Sequence, residues 1–388
     1  MTEHKLYCEP KFYIGLFGSM FFIGVALQGL VLKFSDYYGR LVLIRVVAWI
    51  QVVLTCLMYI VQDYRYYYVL MFLIGVSAAK LMCLLIYINE ISTQEYRMVM
   101  CCFANMFDSS FVAIISSLYF MLGGKQWRHL TVLSPIFWVI WVILSFFVPE
   151  SPKYLHARGK YKELALYINE SARQNGTNFK IEENIGLFNK YNSTRSENKD
   201  IETQNDNAEY TIWNDLKQIK ILTNFFFAVW IFAFVTYNYF MMGLYMKYAK
   251  GDVFTNTLLT GFSEIIAFLS AVLFFRLLGL KVCFMVFASM WIIFGIPLTF
   301  NMLIIIATVS LILARFGAQA CIPCLHYLGN SDLFNPLLVP FFYAVGNLAA
   351  KLLTISAPQI VELPKPIPIL SFLMTSFGIV VSSVLIKM

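Results

Sequence analysis

From Phe12 to Ile386 the chain is largely a succession of apolar, nearly uncharged runs of about 20 residues, the length an α-helix needs to cross about 30 Å of hydrocarbon. Eleven such runs can be read: Phe12–Leu32, Leu41–Gln62, Tyr67–Ile88, Met98–Leu122, Leu130–Val148, Phe225–Met246, Val253–Phe275, Val282–Phe300, Met302–Leu325, Pro336–Ile360 and Pro366–Ile386. Hydrophobic residues make up 60% of the 388, charged residues 13%, and mean hydropathy is +0.70, more apolar surface than a water-soluble interior can hide. The chain is therefore expected to be an all-α polytopic membrane protein, in which each span satisfies its own backbone. Most runs are separated by fewer than ten residues, so successive helices run antiparallel. The exception is the polar segment from Pro149 to about Lys220, which divides the chain into five spans (1–148), a linker (149–220) and six spans (221–388).

Within the linker, Leu164, Tyr167, Ile168 and Ala172 share one helical face, and Ile212, Trp213, Leu216 and Ile219 share another. Two helices lying at the membrane surface are expected. Between them, Tyr191 to Glu209 is rich in Asn, Glu, Ser and Thr and has too few apolar residues to fold alone. The sequons at Asn169, Asn175 and Asn192 would be glycosylated only in a lumenal segment, and a non-lumenal one is expected. Lys and Arg in the short loops favour neither orientation. "MTEHKLYCEPK" has neither the n-region nor the cleavage site of a signal peptide.

The net charge of +7 is spread thinly, with no basic run, which argues against nucleic acid as a partner. Cys56, Cys83, Cys101, Cys102 and Cys283 lie in apolar runs, where thiols behave as small hydrophobes. Cys321 and Cys324 form a C-x-x-C near His326, but no second ligand pair stands nearby to complete a zinc site. No nucleophile–base set or metal cluster appears, so neither an enzyme nor a cofactor is expected.

An ionisable group at mid-bilayer costs several kcal/mol unless paired or wetted, which makes each a functional candidate. Lys80, Asp108, Glu264, Arg315 and Lys351 fall in apolar runs, with Arg45 nearer an end. Phe234, Tyr237, Tyr239 and Tyr245 could stack on a substrate ring, although packing accounts for any one of them equally well.

Three strings carry a family resemblance. "GLFGSMFFIGVALQGLVLKFSDYYGR" offers a small-residue face (Gly15, Gly18, Gly24, Gly29) and ends in Asp36, Gly39 and Arg40. "NEISTQEYR" places Glu90 and Arg97 seven apart between two apolar runs, and "VPESPKYLHARGKYKELALYINESARQNG" follows the fifth run with Glu150 near its start. In this order and spacing they resemble the D-x-x-G-R, E-x6-R and P-E-S-P-[RK]-[WY]-L motifs of the organic-cation, organic-anion and carnitine transporters of the major facilitator superfamily, over roughly residues 12 to 360.

The resemblance implies a major-facilitator helical bundle. It implies that Asp36, Gly39, Arg40, Glu90, Arg97 and Glu150 form a charged latch at the cytoplasmic ends of the two halves. "GFSEIIA" resembles the eighth-span G-x-x-E-x-P-A, with Ile266 for Pro, making Glu264 the matching acid. "KLLTISAP" resembles the eleventh-span string whose first residue follows substrate charge, so Lys351 implies an organic anion or zwitterion. Lys351, Glu264, Lys80 and Tyr237 are the candidate substrate contacts. A structural pair of Glu264 with Lys351 or Lys80 is the alternative.

The second half departs from the pattern: "FFRLLGLKVC" keeps Arg276 and Lys281 but no acid, and "SDLFNPLLVP" has Asp332 but no Arg. Set against the family's twelve spans, the chain begins at what corresponds to the second, which leaves a cavity wall open. Two readings are open. One is a solute carrier for a small organic anion or zwitterion working by alternating access. The other is a transport-inactive subunit of a larger membrane assembly, such as a respiratory complex, with partner chains at the first-span position and along 191–209. Family habit points to the plasma membrane; a mitochondrial inner or other organelle membrane stays open.

Overall fold

A computed structural model of the protein describes residues 10–61, 63–93, 96–124, 127–177, 217–300, 303–328 and 338–386. Among these the chain is helical, with turns between. The helices are α1 Lys11–Tyr38, α2 Arg40–Ile60, α3 Tyr64–Ile91, α4 Arg97–Asn105, α5 Phe111–Met121, α6 Trp127–Ser145, α7 Pro152–Ala157 and α8 Tyr161–Gln174. They continue as α9 Ile219–Tyr245, α10 Val253–Gly295, α11 Ile304–Leu328, α12 Val339–Thr354, α13 Ala357–Val361 and α14 Ile367–Leu385. Among the described residues, eight stretches are long and apolar enough to cross a membrane, and two shorter apolar helices, Phe111–Met121 and His129–Ser145, accompany them.

The expected runs fall on these helices with three differences of detail, one being that the tenth is divided between α12 and α13 by a turn at Ile355–Ser356. The fourth run is interrupted by a π-helical turn, Met106–Ser110, between α4 and α5. The seventh and eighth share α10, which breaks at Gly279 (φ 76°). Gly39 (φ 111°) makes the corresponding turn between α1 and α2, so both halves of the chain turn on a glycine in a backbone region that side chains resist. At the α10 break Lys281 donates to the carbonyls of Val384 and Ile386, each at 3.0 Å, and so caps the end of α14. Expected to lack acidic partners, that lysine uses main-chain acceptors instead.

With lipid outside, helices gain little from hiding apolar surface from one another and associate through close packing. At their glycines α1 and α3 come into backbone contact. A Cβ on Gly24 would sit 2.1 Å from the Phe72 carbonyl oxygen, and one on Gly75 would sit 2.1 Å from that of Phe21. The large core lies among α9, α10, α11, α12 and α14, around Trp291, Phe284, Phe342 and Leu311. Two seams join the N-terminal helices to this C-terminal group. Gly15 and Gly18 of α1 abut Pro358 and Gln359 in α13, and Ser19 Oγ donates to the Ile355 carbonyl at 2.9 Å. On the other side α5 lies along α10, with Phe120 stacked on Phe254 at 4.6 Å and Ile114 against Gly261.

Of the two expected surface helices, α8 is present: Leu164 and Ala172 are buried, Tyr167 and Ile168 half-buried, and the face packs on Tyr154 and Leu155 of α7. The second, with Ile212, Trp213 and Leu216, and the stretch Tyr191–Glu209 lie outside the described residues, and α9 opens at Ile219. The C-x-x-C thiols of Cys321 and Cys324 are buried within α11, and the side chain of His326 lies outside the described set.

Replacing Gly24 by Val is expected to force α1 and α3 apart at a cost of about 3 kcal/mol or more, read as a lower melting temperature in detergent. Gly29→Val, where a Cβ meets open space, should leave the melting temperature nearly unchanged.

Candidate functional site

At the end of the bundle where α1 meets α2, Arg40 gathers the motif charges. Its Nη2 lies 3.1 Å from Glu90 Oε1, its Nε donates to the same oxygen at 3.3 Å, and its Nη1 donates to Ser35 Oγ at 2.9 Å and to Asp36. Arg40 and Glu90 side chains are 15% and 13% exposed, Asp36 66%, so the Glu90 contact is the one sheltered from water. The motif resemblance implies an ion pair for Glu150. Its carboxylate accepts the backbone N–H groups of Arg40 (3.2 Å) and Leu41 (3.1 Å), filling orphan donors at the start of α2. Gly39 is needed here twice, since a Cβ would also lie 2.6 Å from Glu150 Oε2.

The segment after α6 straps this turn down. Tyr154 Oη donates to the Tyr37 carbonyl (3.1 Å), Arg158 Nη2 to that of Asp36 (2.5 Å), and Tyr87 Oη to that of Pro149 (2.7 Å). Ser35, Asp36, Glu90 and Glu150 all belong to the N-terminal part of the chain, so their contacts with Arg40 tie together N-terminal helices rather than the two halves. The side chain of Arg97 lies outside the described set.

Inside the bundle a chain of polar and aromatic groups runs from one seam to the other. Glu264 of α10, 2% exposed, accepts from Ser109 Oγ in the π-helical turn at 2.9 Å. Its Oε2 lies 3.8 Å from Arg315 Nη2 on α11. Arg315 Nη1 donates to the Tyr239 carbonyl at 2.6 Å, and its guanidinium lies 5.0 Å from the Tyr239 ring. Tyr239 meets Phe240 edge-to-face at 4.8 Å, and Phe240 meets Phe22 of α1 likewise at 4.8 Å. The buried ammonium of Lys351, on α12, is 5.2 Å from the centre of the Phe240 ring. Two cations thus flank an adjacent aromatic pair on α9, and Glu264 and Ser109 close one end.

Local sequence explains the approach. Small Gly261, one turn before Glu264, admits Ile114, so α5 and α10 lie close enough for Ser109 to reach the carboxylate. The π-helical turn inserts an extra residue into the helix and re-aims the side chains beyond it.

The sequence leaves Glu264 open to pairing with Lys351 or Lys80; the structure pairs it with Arg315, a residue the family motifs do not single out. Lys80 is held elsewhere, among N-terminal helices. Its Nζ donates to Gln51 Oε1 and the Ser77 carbonyl, both at 3.3 Å, and lies 4.4 Å from the Trp138 ring centre. Tyr237 is held in a separate apolar cluster. It packs with Met241, Ala357 and Val361 and contacts Ser371 Oγ at 3.2 Å. Sequence reasoning flags Arg315 as a charge but not as the partner of Glu264, and it passes over Phe240. The charge of Arg315 in an apolar run is the available signal, but Phe240 carries none. The side chain of Asp108 lies outside the described set.

A profile of the sugar (and other) transporter family matches residues 1–384. The chain belongs to that family. The human organic cation/carnitine transporter 2 is 24% identical over 372 residues, covering 94% of this chain and 64% of the relative. Mouse solute carrier family 22 member 4 is 23% identical over 386 residues, again covering 94% and 64%. The chain thus spans about 64% of the length of the curated relatives it matches. Among solved structures, the major facilitator superfamily proton:xylose symporter XylE superposes with a TM-score of 0.66 at 14% identity, over 96% of this chain and 84% of that one. The major-facilitator bundle and the likeness to organic cation/carnitine transporters agree with the motif reading, and the chain is a multi-pass membrane protein of a transporter family.

Glu150→Ala is expected to lower stability by about 1 kcal/mol through loss of the α2 cap. Asp36→Ala, at an exposed pair, should cost less than that. Paired melting curves in detergent check the order.

Proposed function

We propose that this protein carries a small organic anion or zwitterion across a membrane by alternating access, with residues 1–148 and 221–388 as the two rocking halves. Lys351 carries the reading: a buried ammonium against Phe240 that forms no ion pair among the described residues. Holding such a charge in a dry site costs several kcal/mol unless something offsets it. A substrate carboxylate offsets it, and the rings of Phe240 and Tyr239 give the rest of the molecule a surface to lie on. A simple cation would face Lys351 and Arg315 together.

In this reading Lys351 contacts substrate and Glu264 acts beside it with Arg315. Lys80 and Tyr237 support the two helical groups. The contacts of Asp36, Gly39, Arg40, Glu90 and Glu150 stiffen the N-terminal helices so that they move as one body. Relatives named as carnitine transporters support a zwitterionic substrate, and the resemblance favours the plasma membrane. The relatives described above are named as transporters or solute carriers, which gives the accessory-subunit alternative no support.

Radiolabelled L-carnitine uptake into proteoliposomes tests the reading. Lys351→Ala is expected to lower uptake at least tenfold, a loss of about 1.4 kcal/mol of binding, while Lys351→Arg keeps most of it. Uptake that Lys351→Ala leaves intact would remove Lys351 from the substrate site.

A further inference from the structure

We propose that Gln319 recognises a hydroxyl group of the substrate, so that the molecule carried is a hydroxylated anion or zwitterion. This deepens the carrier reading and rests on it for the acid group at Lys351.

The observation that carries it is an unpaired amide. Gln319 lies on α11, is 0% exposed, and neither its Nε2 nor its Oε1 has a hydrogen-bond partner among the described residues. Leaving both ends of a carboxamide unpaired in a dry interior is costly, and an apolar side chain of similar shape, such as methionine, escapes that cost. An amide kept there has a use for a partner that comes and goes.

Its place in the fold says where that partner comes from. Arg315, Gln319 and Ile322 stand at i, i+4 and i+7 and share one stripe of α11. At one end of the stripe Arg315 meets Glu264 of α10. At the other, Ile322 packs with Phe268 of α10 and with Cys102 and Met106 of the N-terminal group. Gln319 therefore stands where α11 faces both α10 and the N-terminal helices, on the surface between the halves that alternating access opens. The side chains gathered around Ile322 are apolar.

The amide also selects by hydrogen-bond type. It offers one acceptor, Oε1, and the N–H donors of Nε2. A carboxylate answers only the N–H groups, an ammonium only Oε1, and a fully methylated ammonium neither. A hydroxyl both donates and accepts, and is the simplest uncharged group that answers either end. The charges nearby have other tasks: Glu264 and Arg315 face one another, and Lys351 meets the acid group in the carrier reading. The Phe240 and Tyr239 rings lead from Lys351 to Arg315, and Gln319 follows one turn later, about 6 Å along the helix axis. A substrate lying along these rings with its acid group at Lys351 runs toward Gln319.

A resident water has the same chemistry as a substrate hydroxyl, and the test separates the two sources. The full chain is compared with Gln319→Met, first by melting in detergent without ligand. The variant should melt at or above wild type; a clearly lower melting temperature means that a resident partner already satisfies the amide, and overturns the proposal. Uptake into proteoliposomes is then measured for L-carnitine and for γ-trimethylammoniobutyrate, which lacks only the hydroxyl. Wild type should favour L-carnitine by about fivefold or more in kcat/KM, the worth of one hydrogen bond. In Gln319→Met the preference should fall below about twofold, through slower L-carnitine uptake and not through faster uptake of the analogue. A preference that Gln319→Met leaves unchanged overturns the proposal while the carrier reading stands. Loss of the preference in Gln319→Met, with uptake that Lys351→Ala leaves intact, upholds the hydroxyl site and removes Lys351 as the acid's partner. Uptake of neither compound by wild type removes the substrate assignment, and the hydroxyl site with it.

Discussion

A charge inside a membrane has no water to fall back on, and the protein interior is organised by that fact. Glu264 and Arg315 lie on α10 and α11, Ser109 on the π-helical turn, and each is tolerable only because another helix brings it a partner. The close seam between α5 and α10, with glycine at the point of approach, lets a carboxylate of the C-terminal group meet a hydroxyl of the N-terminal group. From there the contacts pass through Tyr239 to Phe240, which meets both Lys351 and Phe22 of α1. Both seams thus converge on one polar chain.

Small residues set the spacing that this requires. Gly24 and Gly75 bring α1 and α3 into backbone contact, while Gly15 and Gly18 leave room for the Pro358–Gln359 turn. Gly39 and Gly279 do a different task at equivalent turns of the two halves, through backbone conformation. Substitution at the first kind would separate helices; at the second it would strain a turn that packing leaves open at Gly279 and filled by Glu150 at Gly39.

The motif charges near Arg40 face a wetter environment and act more weakly one by one. Their effect comes from combination with main-chain contacts: Glu150 caps α2, Arg158 and Tyr154 bind the carbonyls that end α1, and Tyr87 ties α3 to the segment after α6. The turn becomes one tied corner of the N-terminal helices.

Run length and hydropathy alone determined that this chain is a bundle of membrane helices. A helix in hydrocarbon must be long, apolar and internally bonded, and those demands are written residue by residue. The positions of Gly39, Arg40, Glu90 and Glu150 were legible for the same reason, being short-range motifs at helix ends. Sequence also flagged Glu264, Arg315 and Lys351 as charges in costly places, without saying which would pair. Only the tertiary structure decided that. It gave Glu264 to Arg315 and Ser109, sent Lys80 to Gln51 and Trp138, turned Tyr237 into core packing and brought Phe240 to Lys351. Such pairings depend on how whole helices rotate and approach, and separation along the chain, 155 residues between Ser109 and Glu264, carries no trace of it.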